Sequence, residues 1–432
     1  MPTNSLDPID LTIRAYNVGF GDCNLLTFRY QNFERNVLID FGSTRRPANS
    51  SQNNTRIIAN QIKNDCGGKL DAIVATHRHK DHISGFSTNN SGTGAGDIIK
   101  KLEPDIIVQP WTEHPDAPID ANVAPSLQSF HAHQKRLKDM ETFASSIRLQ
   151  LLGLDSVPSE IRSRLRFLGE NNIRNRAAVL NLQQMAKDAK SRNQSSRHGG
   201  YFVYTGANSG LGHLLPNVDV HVLGPPTLKQ SVEIKHQVHD HPDEYWHLQA
   251  ETATSGNDDE SLFPGYEEPS VRPYARWFKR RLQQLRADEL FRIVRILDDA
   301  MNNTSIILLF TVGDRGFLFP GDAQWENWAY ALSKDKYVDM LRDVEVYKIG
   351  HHGSLNATPK SLWKLFKNRG PANQPNRLVS LLSTKEGVHG KPSSGSEVPR
   401  SKLVSEVKEH SKLLDTRNSG STHCIKTVIP LC

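Results

Sequence analysis

The pattern of apolar and polar positions divides this chain into short strand-length runs and longer helix-like stretches. Residues 70–75, 105–109, 303–311, 316–319 and 344–349 are apolar or alternating runs, each closed by a polar or glycine-containing segment, and they predict buried strands. A final run at 424–429 reads as a closing strand. Between residues 124 and 190 the spacing changes: Leu127, Phe130, Leu137, Met140, Phe143 and Ile147 recur at three- to four-residue intervals, the stripe of an amphipathic helix. Helical spacing continues over 161–167 and 177–185 and returns at 402–414. Strands and helices interleaved in this way predict an α/β fold. Two stretches interrupt the strand series, a helical insertion at 113–199 and a second insertion at 227–302. The second starts loop-like, with Pro264 and Pro269. It continues over 274–300 as a basic helix in which Arg276, Lys279, Arg280, Arg281, Arg286, Arg292 and Arg295 surround Trp277, Phe278 and Phe291. Such a helix can grip phosphate backbones or be a solvated face.

Chemistry-bearing residues gather at the strand ends. Thr76-His77-Arg78-His79-Lys80-Asp81-His82 follows directly on the run 70–75, so it occupies the loop beyond a strand, where functional residues concentrate. In extended backbone His77 and His79 point the same way, and Asp81 and His82 follow as the chain turns into Ile83-Ser84-Gly85-Phe86. Imidazole nitrogens with a carboxylate suit zinc, and manganese or iron accept the same donors. These donors are enough to start two sites. Two later strand ends add to them. Pro320-Gly321-Asp322-Ala323 puts a lone carboxylate after 316–319, and Gly350-His351-His352-Gly353-Ser354 puts paired histidines between glycines after 344–349. A further group, His236, His239, His241 and His247, has neither a strand end nor a glycine framework, which argues against another metal site there.

In these segments the sequence resembles the metallo-β-lactamase-fold hydrolases, within them the branch that includes the hydrolase domain of DNA-uptake competence proteins and the phosphorylcholine esterases. The resemblance rests also on Asn17-Val18-Gly19-Phe20-Gly21-Asp22-Cys23, Val37-Leu38-Ile39-Asp40-Phe41-Gly42 and Val220-His221-Val222-Leu223-Gly224-Pro225-Pro226. It covers roughly residues 10–112, 200–226 and 303–432. It implies an αββα sandwich, two mixed sheets face to face with helices outside, and a hydrolase with two zinc ions, or manganese in their place. Residue by residue it implies that His77, His79, Asp81 and His82 are metal ligands, that Asp322 bridges two ions, and that His352 or His351 closes the second site. Asp40 would brace the metal loop. Asp81, Asp322 and the histidine of the pair that is not a ligand, taken as His351, would form the catalytic set.

Most two-zinc members carry one further histidine before the bridging aspartate. His114, His213 and His221 are the residues available for it, and His221 alternates within a strand as a structural residue would. Without that ligand, one ion would be three-coordinate in protein atoms. Phe20 and Cys23 also depart from the first motif, which leaves the substrate open. The activity implied is phosphodiester hydrolysis, with DNA or RNA among the anionic substrates. Hydrolysis of a lactone, thioester or β-lactam is the first alternative. A partner-dependent component of a bacterial defence or toxin system is the second, with the protein partner unread.

Composition changes this picture little. A chain of 432 residues suggests two or three domains, but donors spread from His77 to His352 must meet in one site, so residues 1–432 are expected to form one elaborated domain. A net charge of +6 helps to attract anions. The four cysteines have no paired spacing, so neither a disulfide scaffold nor a zinc ribbon is implied. No run reaches the roughly 20 apolar residues of a membrane helix, and the opening has neither a basic start nor an apolar core, so a cytoplasmic protein without a membrane partner is expected.

Overall fold

The apolar runs build two sheets. In the first, the order is β13-β1-β2-β3-β4-β5-β6, from β1 (Asp10–Tyr16), β2 (Cys23–Arg29), β3 (Glu34–Phe41), β4 (Ala72–Val74), β5 (Ile106–Pro110), β6 (Gly199–Val203) and β13 (Cys424–Pro430). In the second it is β12-β11-β10-β9-β8-β7, from β7 (Asp219–Gly224), β8 (Ile307–Val312), β9 (Arg315–Phe319), β10 (Val344–Lys348), β11 (Val379–Leu382) and β12 (Lys412–Asp415). Both sheets are mixed: β3 to β6 and β9 to β12 run parallel, and their remaining pairs are antiparallel. This computed structural model describes residues 6–48, 50–114, 175–227, 229–231, 244, 302–356, 358–390, 392 and 396–431. The helical periodicity at 127–147 and 161–167, the basic stretch 274–300 and the group His236, His239, His241 and His247 lie outside them.

Side-chain alternation explains the layering. In β3, Val37 and Ile39 enter a core shared with the second sheet, whereas Leu38 and Phe41 point to the opposite face. In β8, Leu308 and Phe310 join the shared core while Ile307 and Leu309 face away. Because each sheet buries both faces, its central strands read as continuous apolar runs rather than alternating ones. Helices α1 (Asn54–Asp65), α3 (Ala95–Lys100) and α4 (Arg176–Asn193) cover the outer face of the first sheet through Ile58, Ile62, Ile99, Val179 and Leu182. The single turn α2 (Lys80–Ile83) lies at that sheet's edge. Helices α5 (Trp325–Leu332), α6 (Asp335–Arg342), α7 (Lys360–Leu365) and α8 (Ser401–His410) cover the second sheet through Trp328, Leu341, Trp363, Leu403 and Val407. The class is α/β, as the run pattern predicts, and α4 spans the helical spacing read at 177–185.

Two boundaries differ from the sequence reading. The helical spacing of 402–414 holds only to His410, after which Lys412 N donates to Leu378 O at 2.8 Å and the chain becomes β12 beside β11. Pairing with a neighbouring strand overrides local periodicity here. The run at 303–311 starts its strand only at Ile307, because Ser305 N turns back to Asn302 O at 2.9 Å. That turn brings Ser305 toward the loop beyond β9.

Candidate metal centre

Parallel strands deliver their carboxyl ends to one edge of a sheet, and loops at such edges are where sites form in α/β proteins. Here β3 carries Asp40 as its next-to-last residue, β4 runs into residues 76–82, β9 into Asp322, β10 into His351-His352 and β11 into Ser383. Backbone bonds join the two edges: Ile306 N donates to Thr76 O at 2.9 Å. Two glycines allow the approach. A Cβ on Gly42 would lie 2.4 Å from the backbone of Asp81, and one on Gly321, which is left-handed at φ +55, would lie 2.8 Å from Thr76.

His77, His79, Asp81, His82, Asp322 and His352 meet in this space and are all buried. His77 Nε2 lies 3.0 Å from His79 Nδ1 and 3.9 Å from Asp322 Oδ2. His82 Nε2 lies 3.0 Å from Asp322 Oδ2, and His352 Nε2 lies 3.3 Å from Asp81 Oδ2 and 3.7 Å from Asp322 Oδ2. Yet His82 Nε2, His352 Nε2 and Asp81 Oδ1 have no hydrogen-bond partner of ordinary geometry. Buried donors and acceptors rarely stay unsatisfied, so atoms that crowd together without bonding point at a common centre. Two groups in particular, His77 with His82 and Asp322, and Asp81 with His82 and His352, keep one ligand atom each within 4.8 Å of the others.

The outward nitrogens make the same point from behind. His82 Nδ1 meets Asp40 Oδ2 at 2.8 Å, His352 Nδ1 meets Ser383 O at 3.1 Å and His77 Nδ1 meets Thr76 Oγ1 at 3.2 Å. Asp40 in turn accepts from Thr76 N and Thr76 Oγ1, both at 2.7 Å, so the strand end, the loop and the imidazole are fixed together. Second contacts of this kind set ring orientation and tautomer in metal sites. The donor set of imidazole and carboxylate fits zinc or manganese.

Electrostatics divides the histidines. Burial drives His79 down to about 4, and burial with neighbouring His82 and His79 drives His77 well below the usual histidine value. For His82 burial acts downward too, but the Asp322 and Asp40 carboxylates win and hold it well above that value. His352 is raised in the same way, burial being outweighed by Asp322 and Asp81. Asp322 is held well below the carboxylate range by His82 and His352 despite burial. The carboxylates therefore demand positive charge between them, and an ion binding there displaces protons.

The predicted residues do not all take equal places. His352 is fully buried among the donors, whereas His351 is partly exposed and contributes its backbone N–H to Asp322 Oδ1 at 3.0 Å. His221 bonds Thr311 Oγ1 across the β7–β8 pair, His114 packs on Phe202, and His213 is exposed; none of them joins a potential metal group among the described residues.

Two contributions were missed in the sequence. Lys348, buried at the end of β10, bonds both oxygens of Asp22 at 2.9 and 3.0 Å, and Asp22 stands 4.0 Å from His82 Nδ1 and from His352 Nδ1. A lysine ending a buried strand is a signal that could have found it, since such a charge needs a partner. The other is His389, whose ring packs 4.7 Å from that of Phe20. In comparisons with known proteins, no family model and no curated sequence matches the chain.

Proposed function

We propose that this protein is a metal-dependent hydrolase of the metallo-β-lactamase fold that cleaves phosphodiesters. His77, His79 and Asp322 would hold one divalent ion, and Asp81, His82, His352 and Asp322 a second, zinc or manganese in each case. The observation that carries the reading is a braced trio of histidines with His79 beside it. His77, His82 and His352 each give one nitrogen to a protein partner and bring the other within 4 Å of Asp81 or Asp322, and His79 Nδ1 lies 3.0 Å from His77 Nε2. The two sheets packed face to face with helices outside support the αββα sandwich that the resemblance implies.

Zinc held by these residues would supply a water that ionises at a pKa of roughly 7 rather than about 15.7, and positive charge to stabilise an in-line displacement. The protein's own work is positioning. Asp322 accepts from His351 N–H at its carboxylate and donates its own backbone N–H to Ser305 Oγ, 3.2 Å away, so its carboxylate would be held to orient the attacking water. His351, partly exposed beside buried His352, would hydrogen-bond a phosphoryl oxygen. A net charge of +6 suits an anionic substrate, nucleic acid included.

Elemental analysis of the purified protein should find about two zinc or manganese ions per chain. The loaded protein should hydrolyse an aryl phosphodiester faster than a lactone, thioester or β-lactam. Absence of any transition metal after reconstitution would remove the enzymatic reading, and dominant carbonyl hydrolysis would replace the substrate class.

A further inference from the structure

The loop between β11 and α8 carries one histidine that none of the sequence motifs includes. His389 packs its ring 4.7 Å from the ring of Phe20, and Phe20 also packs on His352, 4.3 Å away between centroids. One phenyl ring thus separates His389 from a proposed ligand. Phe20 has His389 on one contact and His352 on another, and His389 belongs to no group of converging donors among the described residues.

Its loop is built onto the site. Ser383 O, at the loop's start, meets His352 Nδ1; Lys385 Nζ reaches Arg46 O at 2.6 Å; Val398 N donates to His389 O at 3.1 Å; and Arg400 N donates to Gly353 O at 2.8 Å, next to His352. Gly390 is left-handed, and a Cβ there would fall 1.7 Å from Ser396 O, so the loop closes tightly just behind the imidazole. Burial keeps this ring neutral near pH 7, its value pushed down to about 4. A neutral imidazole offers one N–H donor and one acceptor.

We propose that His389 contacts the substrate, donating its N–H to the leaving oxygen of the phosphodiester. The proposal rests on the phosphodiesterase reading above. As the water oxygen forms its bond to phosphorus, the ester P–O bond breaks and the departing oxygen keeps the electron pair. The imidazole N–H meets that developing charge, solvent supplies the proton, and His389 ends unchanged. Phe20, which stands in the first motif, holds the ring at this position.

The test compares two substrates that differ only in their leaving group, a phenyl and a 4-nitrophenyl phosphodiester, across the parent, His389→Phe and His389→Gln. His389→Phe keeps an aromatic ring on Phe20 and removes the donor; His389→Gln keeps a donor. Phenolate is the more basic leaving group and needs the hydrogen bond more. His389→Phe should lower kcat for the phenyl ester about 100-fold, the usual effect of deleting one transition-state donor, and lower it about tenfold less for the nitrophenyl ester. His389→Gln should recover part of the loss, and metal content should match the parent in both variants. Equal losses on the two esters, no loss, or loss of bound metal would overturn the assignment of His389 and leave the phosphodiesterase reading intact. A metal-loaded parent that hydrolyses neither ester overturns that reading and this one with it.

Discussion

The two halves of the candidate centre are made in different ways. In the half from the first sheet, four donors lie on one loop, His77 to His82, where extended backbone and then the first turn of α2 fix their directions locally. In the other half, Asp322 and His352 come from separate strand ends and meet only because β9 and β10 are parallel neighbours. That half also depends on strain: His351 and His352 both hold left-handed backbone, at φ 42 and φ 54. Such conformations cost about 1–3 kcal/mol each in residues other than glycine, and persist where surrounding structure imposes them. Here the imposing contacts are His351 N to Asp322, Ser354 N to His351 O and Arg400 N to Gly353 O. One half is a property of a short sequence, the other of the assembled sheets.

The largest expected effect breaks the second half. Asp322 lies within 4 Å of His77, His82 and His352, so Asp322→Ala should remove a ligand from both ions. Metal content should fall below one ion per chain, and activity should fall by more than the about 10–100-fold typical of changing a bracing residue. Asp40→Asn supplies that reference, since Asp40 bonds the outward nitrogen of His82 and the Thr76 turn. Equal metal content and activity in the two variants would erase the distinction between ligand and brace. Elemental analysis with a chelator competition measures it.

This difference also decides what the sequence could disclose. The spacing of His77, His79, Asp81 and His82 was legible because their geometry is local. Asp322 and the His351-His352 pair were legible only as strand-end residues, and the sequence left open which histidine enters the cluster. The choice depends on two left-handed residues in succession, which no composition rule fixes for histidine. Lys348 with Asp22, 326 positions apart in the chain, became partners only through the packing of the two sheets. His389 lay in a glycine- and serine-rich loop with no periodicity to mark it. The fold followed the same rule: runs such as 70–75 and 316–319 gave their strands, whereas 402–414 was misread past His410 because pairing of β12 with β11 is not a local property.

A smaller effect separates the histidines by pH in the metal-free protein. His79, at about 4, lies below its ordinary value of 6.5, so it stays neutral in the folded chain while the unfolded chain takes up a proton. Its share of stability is therefore lost as pH falls from about 6.5 toward about 4. His82 and His352 are raised, so their share is present below 6.5 and is lost as pH rises through their folded values. His79→Gln should flatten the acid side of a urea-midpoint profile recorded with chelator present, and His352→Gln should flatten the neutral-to-alkaline side. Profiles that change on the same side in both variants would mean that the two halves do not differ electrostatically as described.

The smallest effect tests whether the centre ends at the residues named. The further histidine that most two-zinc members of the resembled fold carry is not among the converging donors of the described residues, and His221 is one of the three histidines available for it. In the structure its Nε2 meets Thr311 Oγ1 at 3.3 Å, a long bond on a half-exposed ladder between β7 and β8, on the strand pair rather than at the carboxyl edge where the donors meet. Replacing it by Gln keeps a hydrogen-bonding side chain, so His221→Gln should cost no more than about 1 kcal/mol of stability and leave both metal content and phosphodiester hydrolysis at parental values. His114→Gln and His213→Gln should behave alike, since one packs on Phe202 and the other faces solvent. Loss of about one ion per chain in any of the three would identify that residue as a ligand for the His77–His79 position and show that the local half of the site also depends on a distant strand.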